Sequence, residues 1–447
     1  MILTFLGAGS TVFVRNILGD VFLTPALRDA EVRLYDIDDR RLQASVDIVG
    51  MLNENMNNGA ADIRAYCGEP RRGEALRGSD FVINAIQVGG YEPATVIDFE
   101  LPAKYDLRQT IGDTLGIGGI FRGIRTLQVM FEIVREMEEE CPDALLLNYV
   151  NPLSIVTGGI LRYSQIRTVG LCHSVQVCVP RLLEYAGIEL NPEEVRWKIA
   201  GINHMAWLLE ITHDGRDLYP EIKRQTLAMR DHPDRVRFEL MKRFGYYVTE
   251  SSEHNAEYTP YWIKRTHPEL IEEYHIPLDE YPRRCRQQIE EWERNRDEVL
   301  QGRSPGSGNQ QSKRDPKEPS MSYEYAALIM DSMATGRVRR VHGNVLNTGL
   351  IQNLPDEAVV EVPCLVDRNG VQGVFAGRLP IQCAALNSAA VHVQLMTIEA
   401  AVSGSREALY QAAFLDPHTA SELTIDEIVA LCDEMLAAHG DYCRIIR

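Results

Sequence analysis

The chain has 447 residues, of which 45% are hydrophobic and 25% charged, and this ordinary globular composition excludes a mostly disordered chain. Its formal net charge of −18 argues against a nucleic-acid partner, because a phosphate backbone attracts a basic face. The nine cysteines are scattered, no run of about 18 apolar residues occurs, and the start MILTFLGAGS lacks a basic signal-peptide region. We therefore expect a cytoplasmic protein with reduced thiols and no membrane partner.

Up to about residue 200, apolar segments alternate with stretches of helical length. The apolar segments are ILTFLG, EVRLYD, DFVINAI, ALLLNYV and TVGLC. This alternation predicts an α/β fold with a Rossmann-like, mostly parallel sheet and helices on both faces. The strands are continuously apolar, which is typical of strands that are buried on both faces.

The pattern changes in the second half of the chain. WKIAGINHMAWLLEI predicts two strands around a turn, VVEVPCLVDRNG predicts a strand before an Asn-Gly turn, and the last hundred residues are helical in pattern. We therefore predict two domains, 1–195 and 196–447, the second being an α+β domain packed against the sheet. Residues 301–320 have almost nothing to bury and are predicted to form a mobile surface loop.

The turn after the first strand is rich in glycine and hydroxyl side chains: Gly7, Gly9, Ser10 and Thr11. Such a turn brings backbone N–H groups close to a pyrophosphate at the start of a helix. Val12 or Phe13 occupies the usual third glycine position, so the dinucleotide fingerprint is incomplete. Asp36 ends the second strand and is placed to bind a ribose hydroxyl, which favours NAD over NADP. A tight turn in a nucleotide-free protein is the alternative.

Polar side chains also follow the later strands of the predicted sheet. Asn84 and Gln87 end one strand, and Asn148 and Asn151 end the next. The carboxyl ends of parallel strands meet at one edge, where open α/β sheets bind their ligands. We therefore expect these amides near a ligand crevice.

A cysteine and two histidines extend this set. Cys172 and His173 follow another strand, and His204 lies in the turn of GINHMAW. A thiolate, an imidazole and an amide oxygen suit a borderline divalent ion such as Mn²⁺, Co²⁺, Ni²⁺ or Fe²⁺. The alternatives are that Cys172 only fills the end of a buried strand and that His204 is a hydrogen-bonded turn residue.

A second polar cluster, TESSEHNAEYTPYW, spans residues 249–262 and is bordered by aromatic side chains. Its titratable members are Glu250, Glu253, His254, Glu257 and Tyr258. Aromatic rings combined with carboxylates commonly line sugar-sized pockets. An exposed amphipathic helix has the same composition, and the sequence leaves both interpretations open.

Eight blocks in this order resemble the NAD- and metal-dependent glycosidases of glycoside hydrolase family 4, and most closely their α-galactosidase branch. The blocks are GAGSTVFVRNILGDVF, QVGGYEP, NYVNP, VGLCHSVQ, AGINHMAW, VTESSEHNAEYTPYW, VEVPCLVD and DPHTA. The resemblance implies hydrolysis without the usual pair of catalytic carboxylates. NAD⁺ would oxidise the sugar at C3, a base would remove the C2 proton, the C1 leaving group would be eliminated, and water addition and re-reduction would follow.

The resemblance also implies a role for each matching residue. The NAD-binding set would be Gly7, Gly9, Ser10, Thr11, Asp36, Asn84 and Gln87. Cys172 and His204 would bind the metal, and Asn151 a substrate hydroxyl. His173 stands where part of the family has an acidic residue, so it is our candidate acid, and Tyr258 is our first candidate base, followed by Glu253 and His254.

The resemblance leaves the substrate less certain than the mechanism. Galacturonides and glucosides are alternatives to α-galactosides, and a homodimer or homotetramer is expected. From the residues alone, an NAD-dependent 2-hydroxy-acid dehydrogenase is one rival interpretation. A non-catalytic NAD-binding sensor or scaffold with a structural metal is the other.

Overall fold

The computed structural model describes residues 1–300, 321–322 and 324–447, with no side-chain description for 295–300. The predicted loop at 301–320 lies outside the described residues. The strands are β1 (Ile2–Leu6), β2 (Glu31–Asp36), β3 (Asp62–Cys67), β4 (Phe81–Asn84), β5 (Leu145–Asn148), β6 (Arg167–Gly170), β7 (Arg196–Ile202), β8 (Met205–His213), β9 (Arg216–Asp217), β10 (Tyr247–Val248), β11 (Arg339–Leu346), β12 (Val359–Asp367) and β13 (Gly370–Gly373).

Helices follow most of these strands. They are α1 (Thr11–Leu23), α2 (Asp39–Asn57), α3 (Arg72–Leu76), α4 (Val96–Lys104), α5 (Gly116–Glu140), α6 (Leu153–Tyr163), α7 (Ser174–Tyr185), α8 (Tyr219–Thr226), α9 (Arg235–Phe244), α10 (Ser252–Tyr258), α11 (Glu269–Glu273), α12 (Glu280–Leu300), α13 (Ala326–Thr335), α14 (Ile381–Ser403), α15 (Arg406–Leu415), α16 (Pro417–Glu422) and α17 (Ile425–His439). A short π-helical turn over Gly90–Thr95 precedes α4.

In the described part of the chain, all thirteen strands belong to one sheet. Its parallel section has the order β3-β2-β1-β4-β5-β6. An antiparallel section continues the sheet as β11-β12-β7-β8-β10. The predicted α/β class with a mostly parallel Rossmann-like sheet is therefore confirmed. The sheet runs without interruption past residue 195, and the division at that point stays a prediction.

The apolar strands are covered on both faces, as their composition predicts. Leu3 and Phe5 of β1 pack in one cluster with Val14 and Ile17 of α1. Leu6, the next residue of β1, belongs to a different cluster that includes buried side chains of α5 and α6. Because side chains alternate along a strand, the two clusters lie on opposite faces of the sheet.

None of the nine cysteines, all of which lie in the described part of the chain, forms a disulfide. Among the described helices, none combines the length and the apolar character that crossing a bilayer requires.

Candidate active site

The turn between β1 and α1 has no room for side chains at its two glycines. Gly7 has a φ of +80°, and a Cβ atom there would lie 2.6 Å from the backbone carbonyl group of Ala85. A Cβ atom at Gly9 would lie 2.9 Å from Oδ2 of Asp36. The backbone of Ala85 therefore requires glycine at position 7, and the Asp36 carboxylate leaves no room for a side chain at position 9.

Asp36 is held at this turn by backbone N–H groups. Its Oδ2 accepts a hydrogen bond from the Gly9 N–H at 2.7 Å, and its Oδ1 accepts one from the Asp38 N–H at 2.9 Å. A carboxylate has further acceptor capacity, so Asp36 can still bind a ribose hydroxyl. Ser10 and Thr11 are half-buried at the start of α1, whose first N–H groups have no helical partner. These residues fit a pyrophosphate and its adjoining ribose.

The structure separates the two amides predicted to lie near the nicotinamide. Asn84 is completely buried, and its Nδ2 donates a hydrogen bond to Oδ1 of Asn148 at 2.9 Å. Gln87 lies exposed beyond the end of β4. Direct cofactor contact by Asn84 therefore has no geometric support, whereas Gln87 is accessible at the sheet edge.

Cys172, His204 and Glu250 form a cluster in which one ligand atom of each lies within 4.8 Å of the other two. Cys172 follows β6 by two residues, His204 lies in the turn between β7 and β8, and Glu250 follows β10 by two residues. His204 and Glu250 have positive φ angles of 62° and 68°. Non-glycine residues rarely adopt this strained conformation, which is characteristic of functional sites.

The electrostatics of the cluster suit a cation. Burial is the main effect on His204 and lowers its pKa to about 4, so its imidazole is neutral and able to coordinate a metal. Burial alone would raise the pKa of Glu250, but the rings of His204 and His254 bring that pKa down to about 2. Burial raises the pKa of the Cys172 thiol well above its usual value, so only a bound cation would hold it as thiolate. Thiolate, imidazole and carboxylate donors together fit one borderline divalent ion.

The helix α10 brings further side chains against this cluster. All but one of its seven residues are buried, so the alternative of an exposed amphipathic helix is wrong. The Tyr258 hydroxyl lies 3.0 Å from Nδ1 of His204, and burial raises the pKa of Tyr258 well above its usual value. The ring of His254 lies 4.7 Å from that of His204 between centroids, and its Nδ1 is 2.9 Å from Oγ of Ser251.

A loop before α5 contributes a carboxylate that the sequence did not single out. Oδ2 of Asp113 accepts a hydrogen bond from Nδ2 of Asn151 at 2.9 Å, and Oδ1 lies 3.8 Å from Nε2 of His254. Burial opposes ionisation of Asp113, yet Arg122 and the His254 ring hold its pKa below the ordinary value. Asn151, the predicted substrate contact, is therefore next to a buried carboxylate and half-exposed itself.

The loop that contains Asp113 is held by the neighbouring helix. Glu257 of α10 accepts hydrogen bonds from the N–H groups of Thr110 at 2.9 Å, Ile111 at 3.3 Å and Gly112 at 2.8 Å. These bonds fix the backbone immediately before Asp113. The second polar cluster thus supplies one candidate ligand, Glu250, and one support for the loop, Glu257.

Two predicted catalytic side chains lie farther from the centre of the cluster. Glu253 is paired with Arg284 of α12 at 3.2 Å, so it has no geometric support as a base. His173 is half-exposed at the start of α7, with Nδ1 3.7 Å from Oε1 of Glu324. It directly follows Cys172, which places it at the rim of the same site.

The fold and these side chains define an enzyme class in which a Rossmann-like sheet carries a candidate divalent-metal centre at the carboxyl edge of its strands. The chain belongs to family 4 of the glycosyl hydrolases. The family model described as "Family 4 glycosyl hydrolase" matches residues 2–188, and its C-terminal domain model matches residues 199–419.

Relatives with known names match almost the whole chain. It is 55% identical to an α-galactosidase of Bacillus subtilis over 98% of both chains. It is 26% identical to an α-galacturonidase of Thermoanaerobacter italicus over 99% of this chain and 97% of the relative. A 6-phospho-β-glucosidase from Thermotoga maritima, solved with manganese, NAD⁺ and glucose-6-phosphate, shares the fold with a TM-score of 0.78 at 20% identity, covering 99% of each chain.

Proposed function

We propose that this chain is an NAD- and Mn²⁺-dependent α-galactosidase that hydrolyses unphosphorylated α-galactosides. The 55% identity to an α-galactosidase, which extends over nearly the whole of both chains, is the observation on which this proposal rests. The metal-binding role is supported by the Cys172, His204 and Glu250 cluster. Co²⁺, Ni²⁺ and Fe²⁺ suit the same donors and are alternatives to Mn²⁺.

When bound, NAD⁺ supplies reversible oxidation at a sugar carbon, and a divalent ion supplies stabilisation of negative charge on the adjoining sugar oxygens. The residues of the chain orient these groups and the sugar. Gly7, Gly9, Ser10, Thr11 and Asp36 would hold the dinucleotide, with Gln87 at the nicotinamide end. Asn151 and Asp113 would bind sugar hydroxyls, because one offers an amide and the other a carboxylate at the edge of the cation cluster.

We assign the proton-transfer roles from the neighbours of each side chain and, for His173, from its exposure. The Tyr258 hydroxyl already lies against His204, and its pKa is raised strongly by burial, so it serves as a positioning residue rather than as our first-choice base. We assign removal of the C2 proton to His254, whose ring lies between Asp113 and Glu250. His173, at the exposed rim, is placed to protonate the leaving group.

Three cationic side chains, Arg122, Arg125 and Lys264, already have partners within the protein, and this supports a sugar without a phosphate group. Arg125 forms a buried pair with Asp98, and Lys264 is paired with Glu422 at 2.7 Å. Arg122 donates to the Asn151 carbonyl oxygen and to the Tyr281 hydroxyl. These three cations therefore have other partners, and a phosphate group would gain little from them.

The test is a side-by-side assay of nitrophenyl α-galactoside, α-galacturonide and α-glucoside with NAD⁺, Mn²⁺ and a thiol reductant. We expect release from the galactoside, no release when either NAD⁺ or Mn²⁺ is omitted, and no net NADH. Preferred cleavage of the galacturonide or the glucoside would instead assign the chain to that alternative specificity.

The same assay separates the rival interpretations. A 2-hydroxy-acid dehydrogenase would accumulate NADH with lactate or malate and would leave all three glycosides intact. An NAD-binding sensor would bind NAD⁺ but cleave nothing in the presence of Mn²⁺. Either result would contradict the proposed activity.

We also propose a cytoplasmic homodimer or homotetramer. The cytoplasm supplies NAD⁺ and keeps thiols reduced, which suits the nine unpaired cysteines. Light scattering on the purified chain would give the number of subunits, and a monomer would contradict this part of the proposal.

A further inference from the structure

One residue from each of several neighbouring strands forms a lateral row across the sheet. Its members, in spatial order, are Asn84, Asn148, Gly170, Asn344, Glu361 and Gly201. Residues that are paired in register point to the same face of a sheet. The row passes through Gly170, two residues before Cys172, and ends at Gly201, three residues before His204, so it lies next to the strand ends that carry the cation cluster.

Glu361 is the only member of this row with an ionisable side chain, and it is completely buried on β12. Its Oε1 accepts a hydrogen bond from Nδ2 of Asn344 at 3.3 Å. Its Oε2 is buried and has no hydrogen-bond partner in the described part of the protein. A buried carboxyl group with one free oxygen is costly to folding, which calls for a functional explanation.

The row has space for its polar side chains because Gly170 has no side chain of its own. A Cβ atom at Gly170 would lie 3.0 Å from Cβ of Asn344 and 2.8 Å from Oγ1 of Thr157. The side chain of Asn344 therefore lies over Gly170 on the α6 face of the sheet. Asn344 Nδ2 also donates to the Gly170 carbonyl oxygen at 3.3 Å, which ties the row to the strand that delivers Cys172.

Asn344 connects Glu361 to the strand that delivers Cys172, because its Nδ2 lies 3.3 Å from both Oε1 of Glu361 and the Gly170 carbonyl oxygen. The backbone of Cys172 is fixed independently, because the Tyr325 hydroxyl lies 3.1 Å from both its N–H nitrogen and its carbonyl oxygen. Glu361 is thus tied by hydrogen bonds to the end of a strand whose continuation at Cys172 is also held in place.

We propose that Glu361 is a positioning residue of the cation site, where its carboxylate lies behind Cys172 and strengthens the binding of the divalent ion. Groups behind metal ligands make those ligands more basic, and substituting them commonly weakens metal binding by about 10- to 100-fold. An added negative charge at short range in a buried site acts in the same direction. This inference rests on the proposed cation site, and the experiment below tests the two separately.

The experiment measures the Mn²⁺ dissociation constant of the cation-stripped full-length protein, without NAD⁺ or sugar, from the electron paramagnetic resonance signal of free Mn²⁺. Burial raises the pKa of Glu361, so the titrations are run over a range of increasing pH that takes its carboxyl group from the neutral to the ionised form. The variants are Glu361→Gln, the double variant Glu361→Gln with Asn344→Asp, and Cys172→Ser. The double variant keeps one charge and one hydrogen bond within the row.

We expect Glu361→Gln to weaken Mn²⁺ binding by about tenfold or more while the NAD⁺ dissociation constant stays unchanged. The double variant should recover affinity to within about threefold of the original protein, because the charge returns to the row. Mn²⁺ binding by folded Glu361→Gln within about twofold of the original would overturn the inference. If that variant does not fold, a folded double variant with affinity reduced about tenfold or more would overturn it instead.

The Cys172→Ser arm tests the proposed cation site itself. We expect this variant to lose Mn²⁺ affinity and glycosidase activity while it retains NAD⁺ binding. Unchanged Mn²⁺ affinity in Cys172→Ser would contradict the cation site. Lost affinity in Cys172→Ser combined with unchanged affinity in Glu361→Gln would contradict only the role of Glu361.

Discussion

The hydroxyl of Tyr258 lies 3.0 Å from Nδ1 of His204, and the two rings are nearly parallel with an interplanar angle of 7°. This contact occupies one nitrogen of the imidazole and leaves Nε2, which lies 3.7 Å from Oε2 of Glu250, for a cation. A partner on the second nitrogen is the usual way in which proteins orient a metal-binding histidine. Tyr258 would therefore set the direction in which His204 coordinates the proposed cation.

Tyr258→Phe removes this hydroxyl and keeps the ring. We expect Mn²⁺ binding to weaken by about tenfold, because His204 loses its orienting partner. At saturating Mn²⁺, kcat should return to within a few-fold of the original, which steady-state assays over a range of Mn²⁺ concentrations would show. A loss of kcat that persists at saturating Mn²⁺ would instead identify Tyr258 as the base.

Glu250→Gln tests the candidate ligand that sequence reasoning did not assign. Replacing the carboxylate by an amide should weaken Mn²⁺ binding by at least about tenfold, since the cluster loses its permanent negative charge. Isothermal titration gives the Mn²⁺ and NAD⁺ dissociation constants, and the latter should not change. Glu253→Gln is the matched control, because that carboxylate is paired with Arg284. Equal effects of the two substitutions on Mn²⁺ binding would rule out Glu250 as a ligand.

Gly9→Ala tests the nucleotide turn. The new Cβ atom would lie 2.9 Å from Oδ2 of Asp36 and displace the carboxylate that accepts the Gly9 N–H. The displaced carboxylate would also lose its proposed hydrogen bond to the ribose, and a hydrogen bond to a charged group contributes about 1.5–3 kcal/mol, so NAD⁺ binding should weaken by about 10- to 100-fold. Gly19→Ala in α1 is the control, because a Cβ atom there meets nothing within 4 Å. Calorimetric NAD⁺ titrations that give equal affinities for both variants would contradict this prediction.

Asp98→Asn tests a buried ion pair outside the proposed catalytic centre. Asp98 accepts hydrogen bonds from Nη1 of Arg125 at 3.0 Å and Nη2 at 2.5 Å, and it lies 3.0 Å from Nε2 of His439. Removing one partner of such a pair costs about 3–5 kcal/mol of unfolding free energy. Denaturant midpoints at neutral pH should show this loss, and a change below about 1 kcal/mol would contradict it.

The stability difference between Asp98→Asn and the original chain should also depend on pH. Burial would raise the pKa of Asp98, but Arg125 and His439 lower it below its ordinary value of 3.8. The contribution of the carboxylate is therefore complete above about pH 4 and is lost as the pH falls through the folded-state pKa. Denaturant midpoints of both proteins should converge at acidic pH. A difference that stays constant down to acidic pH would show that the charge of Asp98 is not the cause of the stability difference.

The sequence identified the parts of the fold that are buried and continuously apolar. The segments ILTFLG and TVGLC became β1 and β6, because strands with two covered faces have this composition. The strand β3, DIRAYC, was missed, since it lies at the sheet edge with largely exposed side chains and lacks an apolar run. Edge strands carry little of the hydrophobic signal on which sequence reasoning depends.

The candidate site was predictable where residues follow strands and unpredictable where loops deliver them. Cys172 and His204 were named as a pair, and the structure brings them together. Glu250 was noticed only as part of a polar cluster, because its position depends on the pairing of β10 with β8 and on a positive φ angle. No sequence pattern pointed to Asp113. Its approach to His254 depends on hydrogen bonds from the preceding backbone N–H groups to Glu257, which is far away in sequence.

The two sections of the sheet join through the pairing of Gly170 on β6 with Asn344 on β11, and the same row continues within the antiparallel section to Glu361 and Gly201. A rotation of one half of the chain against the other would have to break this strand pairing, which also lies next to Cys172 and His204, the proposed thiol and imidazole donors. The distance between the nucleotide turn and the cation cluster is therefore set by the hydrogen-bonded backbone of one continuous sheet.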